Sequence, residues 1–290
     1  MSTLPACLPA LPTLGKGSSH GKPLTYDNEG HSDNVLQVKC AEGLDEIVRS
    51  LIHNGADVNE QGGWYGNPLQ AACAEGHENI ARSLLENGAH INANIGHYGT
   101  SLQAACAEGH ERIVRLLLDR GADIDTETGF YGGALQAASL TGRESVTQLL
   151  LDRGADVNAR GTSFGAALQA ASFGGHKRIV QMLIEKGADV NAKGNSRSAL
   201  QAACWEGHVD VAAILIQNGA DLDAYDEHYG NALQSASFKG CNGIVQMLLS
   251  HGANVNMSGG WLGTALECAR MGGYNKIIQM LMAHGARHSF

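Results

Sequence analysis

The stretch Thr100 to Asp125, TSLQAACAEGHERIVRLLLDRGADID, sets the reading of the whole chain. Leu102, Ala105 and Cys106 recur at i, i+3 and i+4, so they share one face of a short helix. Gly109 ends that helix, because a residue without Cβ enters the left-handed conformation without a clash. Ile113, Val114, Leu116, Leu117 and Leu118 then predict a second, more apolar helix, closed by Gly121. Helices this short are marginal in water, so the pair needs neighbours to cover its apolar surface.

Those neighbours are copies of the pair. The Gly-Ala after the second helix begins at Gly55, Gly88, Gly121, Gly154, Gly187, Gly219, Gly252 and Gly285, with spacings by subtraction of 33, 33, 33, 33, 32, 33 and 33. The first-helix leucine keeps step at Leu36, Leu69, Leu102, Leu135, Leu168, Leu200, Leu233 and Leu266. A fixed period of this length predicts a stacked solenoid, in which each unit touches only the units beside it.

The period, the Gly-His between helices (Gly76-His77, Gly109-His110, Gly175-His176, Gly207-His208) and the GAD-[VIL]-[ND] tail together resemble the ankyrin repeat. The resemblance covers about residues 33 to 286 and implies an all-α solenoid of eight helix pairs joined by short β-hairpin-like fingers. It also implies a concave protein-binding surface. Two features depart from the family pattern. Its T-P-L-H tetrapeptide reads here as Asn67-Pro68-Leu69-Gln70 or Thr100-Ser101-Leu102-Gln103, with Gln for His, and Glu267 in the last unit. The glycine four before the leucine sits three before it, as in Gly66 and Gly99, so the finger turns are expected to differ in detail. The wording YGNALQSAS at Tyr229 to Ser237 is similar to ankyrin arrays of filamentous fungi, which often follow a signalling or nucleotide-binding domain.

With 290 residues and 43% hydrophobic content the chain can bury ample apolar surface. A net charge of −9 without a Lys/Arg cluster argues against a nucleic-acid or anionic-membrane partner. Four of the five prolines, Pro5, Pro9, Pro12 and Pro23, lie near the start. They break the only early apolar run, which no basic residue precedes, as a signal peptide would need. Residues 1–31 are therefore expected to form a disordered or extended leader, and 32–290 the repeat domain. No later run is long enough to span a bilayer.

The seven cysteines prompt a search for a metal or disulfide set. Cys40, Cys73, Cys106 and Cys204 fall four after the leucine, where other units carry Ser139, Ser172 and Ser237. One small side chain per unit, about 8–10 Å from the next, fits close helix packing and is too widely spaced for a disulfide or shared zinc. Free buried thiols fit a reducing, intracellular compartment. His77, His110, His176 and His208 are expected to cap and orient the second helix. Gln37, Gln70, Gln103, Gln136, Gln169, Gln201 and Gln234 form a polar ladder expected to bond unit to unit. Gly161-Thr162-Ser163-Phe164-Gly165 matches a hydrolase elbow, but it falls in register with ordinary fingers. Asn256-Met257-Ser258 is a glycosylation sequon without a secretion signal. No catalytic, cofactor-binding or metal site is expected.

Information in a repeat array lies where the copies disagree. Five after the leucine the chain reads Ala41, Ala74, Ala107, Leu140, Phe173, Trp205, Phe238, Arg270, and the next position reads Glu42, Glu75, Glu108, Thr141, Gly174, Glu206, Lys239, Met271. The resemblance places both on the concave surface, with an acidic zone followed by an aromatic one. Leu140, Phe173, Trp205, Phe238, Glu206 and Lys239 are thus candidate protein-binding residues, against the alternative that the rings only stack on one another. The fingers carry Trp64-Tyr65, His97-Tyr98, Phe130-Tyr131, Ser163-Phe164, His228-Tyr229 and Trp261-Leu262. The constant second member predicts finger-to-finger stacking. The varying first member makes Trp64, Phe130 and Trp261 further binding candidates. Finger 194–198 of the sixth unit lacks the aromatic and is expected to be displaced. The first unit is diluted by Lys39, Asp45, Glu46 and Arg49, as a terminal cap should be, whereas the last keeps an apolar second helix. These features predict a monomeric, non-catalytic scaffold for a protein partner. The alternatives are a ligand-sensing fragment of a larger receptor and an enzyme acting on a small molecule in the concave groove.

Overall fold

The computed structural model describes residues 34–161, 164–192, 197–227, 230–260 and 263–287. Sixteen helices lie among them, two per unit. In chain order the pairs are α1 (Val35–Ala41) and α2 (Asp45–His53), α3 (Pro68–Glu75) and α4 (Glu78–Glu86), α5 (Ser101–Glu108) and α6 (Glu111–Asp119), α7 (Ala134–Leu140) and α8 (Glu144–Asp152). The second half repeats the plan with α9 (Ala167–Gly174) and α10 (Lys177–Glu185), α11 (Ala199–Glu206) and α12 (Val209–Gln217), α13 (Ala232–Lys239) and α14 (Asn242–Ser250), α15 (Ala265–Met271) and α16 (Asn275–Ala283). The main helix–helix packing is within a pair or between adjacent pairs, first helix on first helix and second on second. One continuous seam of buried leucine, isoleucine, valine and alanine runs through all the units.

Six of the eight first helices start on a polar side-chain cap, whereas α7 and α9 start on Gly133 and Ala166 without one. The side chains of Asn34, Asn67, Thr100, Ser198, Asn231 and Thr264 accept from the backbone N–H three residues on. In four units the ladder residue reaches back to the cap backbone and closes a capping box, as Gln103 Oε1 does to Thr100 N at 2.8 Å. The other end of each glutamine leaves the unit. Gln70 Nε2 donates to Ile95 O at 2.9 Å, Gln103 to Thr126 O at 2.9 Å, Gln136 to Ala159 O at 2.8 Å and Gln169 to Ala192 O at 2.8 Å. The ladder thus ties each first helix to the next finger, as expected from the sequence. It also explains the shifted glycine, since a Cβ on Gly66 or Gly99 would run into the Oε1 of Gln70 or Gln103.

The histidines correct the sequence reading. His77, His110, His176 and His208 occupy the N-cap positions of α4, α6, α10 and α12, yet none makes a side-chain cap bond. Each Nε2 instead meets a carbonyl of the preceding unit: Ala41 at 3.1 Å, Ala74 at 3.0 Å, Leu140 at 2.9 Å and Phe173 at 3.0 Å. Arg143 does the same in the fourth unit, Nε to Ala107 O at 3.0 Å. These rings pass so close that the preceding turn must be glycine. At Gly76, with φ of 82°, a Cβ would sit 2.6 Å from the His110 ring.

Three of the fingers close on a single antiparallel bridge, Gly62 with Gly66, Ile95 with Gly99 and Asp226 with Gly230. Neighbouring fingers bond through the backbone, His97 N to Trp64 O at 3.0 Å and Phe130 N to His97 O at 3.2 Å. Residues 194–196 of finger 194–198 fall outside the described residues, as do Ser163 of the elbow-like motif and the leader 1–31. In the last unit Met282 on α16 is exposed, in line with its apolar second helix, and Met271 is exposed at the end of α15.

Candidate protein-binding surface

Among the described residues a finger folds over the end of its own first helix, which brings the constant second aromatic of the finger to the variable positions at the helix end. Phe164, in the fifth finger, lies 5.6 Å from Phe173 at the end of α9. The Arg197 guanidinium, on the sixth connection, lies 4.7 Å from the Trp205 ring centroid. In the second and third units the same meeting is polar. Tyr65 Oη donates to Glu75 Oε1 and Tyr98 Oη to Glu108 Oε1, both at 2.6 Å.

Rings also contact rings from unit to unit. Trp64 stacks on His97 at 4.1 Å and 17°, and His97 on Phe130 at 5.1 Å and 21°. Phe130 meets Phe164 edge-on at 6.0 Å, so one aromatic line runs from Trp64 to Phe173. Beneath it Tyr98 stacks on Tyr131 at 6.2 Å, and Tyr65, Tyr98 and Tyr131 are buried. Burial, with the Glu108 carboxylate nearby, holds both the Tyr98 and Tyr131 hydroxyls above their ordinary range, Tyr131 at about 12. Farther along, Trp205 and Phe238 stack at 5.6 Å and 13°. Lys239 Nζ lies 4.9 Å from the Trp205 centroid, so Arg197 and Lys239 both hold positive charge against that indole.

Family models for three-copy ankyrin repeats match residues 36–128, 98–161 and 134–226, and a single ankyrin repeat matches 231–259. The chain belongs to the ankyrin repeat family. The crystal structure of the human ASB11 ankyrin repeat domain is similar to it, with 28% identity and a TM-score of 0.67 over 77% of this chain and 99% of that chain. No curated protein matches this chain significantly. Ankyrin repeats generally mediate protein–protein interaction.

On this ankyrin stack Phe173, Trp205 and Phe238 are half-buried, while Glu206 and Lys239 are exposed. Trp64 and Phe130 are half-buried and spend part of their ring faces on His97. Trp261 lies outside the described residues. Leu140 is a correction: it is 2% exposed, so no partner can rest on it. Ala74 and Ala107 at the equivalent position are equally buried, because the slot under the finger accommodates an alanine or a leucine. The larger rings of the fifth to seventh units emerge from it, and Arg270 and Met271 at the end of the last first helix are exposed. The Tyr–Glu bonds were missed from the sequence, although a tyrosine followed ten residues later by glutamate recurs in the second and third units.

Nucleophilic chemistry finds little support here. Burial pushes the Cys40 and Cys268 thiols up to about 12 and those of Cys73, Cys106 and Cys204 higher still, so they stay protonated. Burial lowers the pKa of His176, whose Nε2 is already engaged by a carbonyl. An open groove of about 700 Å³ follows the interhelix turns of the first three units, lined by His77, Glu78, His110 and Glu111, and so lies apart from the aromatic face. Among the described residues no helix is long and apolar enough to cross a membrane.

Proposed function

We propose that this ankyrin domain is a non-catalytic scaffold that captures a segment of another protein on the concave face formed by its fingers and first-helix ends. Phe173, Trp205 and Phe238 supply the apolar contact, Glu206 and Lys239 the flanking charge, and Trp64, Phe130 and Trp261 extend it along the fingers. The supporting observation is the Trp205–Phe238 stack, left half-exposed between two cations. Rings serving the stack alone would be covered, as Tyr65, Tyr98 and Tyr131 are. Tryptophan and arginine are enriched among the few residues that carry most binding energy at protein interfaces. The buried, protonated thiols suit a reducing, intracellular setting.

The test is affinity capture from native lysate with the wild-type chain and with Phe173, Trp205 and Phe238 changed together to Ser. The variant should keep its helical circular dichroism and lose its partner. The stacked pairs it gives up contribute about 0.5–1.5 kcal/mol each, a small part of the stability of such a stack. Capture of the same partner by both chains would refute the proposal, and loss of helicity would assign the rings to the stack.

A further inference from the structure

The first unit leaves a stacking face uncovered. Val35 is 64% exposed, Ile47 45% and Leu44 38%, and Val38 and Leu51 are half-buried. The counterparts of Val35, Val38, Ile47 and Leu51 are buried in every later unit, down to Ala265, Cys268, Ile277 and Leu281 in the eighth. The eighth unit has a neighbour before it and, among the described residues, none after it. These positions are therefore the ones that each unit presses on its predecessor, and in the first unit they meet solvent. Asp45, Glu46 and Arg49 do not break this face, since they match Glu78, Asn79 and Arg82 of the second unit, which are polar again. Lys39, whose counterparts are buried alanines, borders it with its ammonium on Glu42 at 2.7 Å.

The face is not cut for another ankyrin unit. From the third unit on, the counterparts of Val35 and Val38 are alanine, serine or cysteine, small enough for first helices to close on one another. Val35 and Val38 put branched side chains at both places. Leu44 stands where His77, His110, Arg143, His176 and His208 each reach a carbonyl of the preceding unit, and leucine has nothing to donate. A second copy stacking its eighth unit here would leave that carbonyl without its bond. We propose that the occupant is the chain's own segment Leu4–Leu14, laid across Val35, Leu44, Ile47 and Leu51 as an intramolecular cap. Its chemistry matches the face. Residues 1–15 carry no charged side chain, and leucine recurs at Leu4, Leu8, Leu11 and Leu14. Pro5, Pro9 and Pro12 bar a helix, and the run Leu8-Pro9-Ala10-Leu11-Pro12-Thr13-Leu14 suits the polyproline II form. In that form leucines three apart share one side, and the backbone needs no partner strand because its outer side stays in water. The tether also reaches. Residues 15–33 extend up to about 60 Å, against ~13 Å for the length of α2. A segment tethered in this way stands at about millimolar effective concentration, above that of a separate chain in dilute solution. The concave face is not involved, so the cap is independent of the scaffold reading.

The test is amide hydrogen exchange, read by mass spectrometry on the full chain at two protein concentrations. Leu8, Leu11 and Leu14 are changed together to Ser in one variant and together to Met in another, and Ile47→Ser is made alone and with the first. The Ser variant should lower the protection of α1 and α2 by about tenfold and leave α11 to α16 unchanged, because local opening is governed by local contacts. The Met variant should keep the wild-type protection. Ile47→Ser should lower it as the leader variant does, and the two together should go no further, as residues in one contact do. Wild-type protection in the Ser variant would overturn the proposal, as would an equal loss in the Met variant. So would losses that simply add when Ile47→Ser is combined with it. Protection that rises with protein concentration would assign the face to a second copy and overturn it as well.

Discussion

Gln103 uses both ends of its amide, and that fixes what can replace it. Its Oε1 accepts from Thr100 N at 2.8 Å and its Nε2 donates to Thr126 O at 2.9 Å, with the side chain 1% exposed. Glutamate keeps the accepting half and loses the donor, placing a buried charge against a carbonyl oxygen. The chain carries glutamate at this position once, Glu267 in the eighth unit, where no further finger follows among the described residues. Gln103→Glu should therefore cost about 3 kcal/mol or more, and Glu267→Gln within about 0.5 kcal/mol of nothing. Urea unfolding followed by circular dichroism checks the pair, and similar small effects would sink the argument. The ladder was legible in the sequence because an invariant polar residue in register needs an invariant partner. The histidines were misread because their partner lies 36 residues upstream, or 35 across the shorter unit, and nothing local names it. The overlooked clue was Arg143 at the same position. An N-cap needs an acceptor, and arginine offers only donors.

Second helices are held by their apolar stripe, and Leu150 stands in the middle of one. It is fully buried on α8, which packs on α7 and between the second helices on either side. Leu150→Ala should cost about 2–5 kcal/mol, because the surrounding seam can only partly close on the void. A thermal midpoint equal to wild type would show that the side chain does not fill the seam. At this scale the helix pairs and their closing glycines were readable, since each depends on residues within one turn. The side-chain environment at the end of the first helix was not. One position is buried as Ala74, Ala107 and Leu140 and half-exposed as Phe173, Trp205 and Phe238. Side-chain volume against a slot of fixed depth decides that, and the slot is formed by a finger from elsewhere in the unit.

Across the whole molecule, nearest-neighbour packing makes one unit removable. Residues 122–154 are one period of 33, from Gly121 to Gly154. Their excision joins Gly121 to Ala155 and sets the third unit against the fifth. The replacement contacts are already specified. Gln103 would meet Ala159 O, now the partner of Gln136, and His176 would meet Ala107 O, now the partner of Arg143. Tyr98 would lose Tyr131 and gain Phe164, which keeps an aromatic finger beside it. The shortened chain should fold with the same helicity per residue, and its urea m-value should fall by about one-eighth, in proportion to the surface exposed on unfolding. Its stability should fall by one unit's share rather than vanish. In a body built on a single central core the same excision removes structural members from the middle and leaves a chain that aggregates or melts without cooperativity. A collapsed product with no cooperative transition would mean that distant units support one another in ways that adjacent packing does not supply.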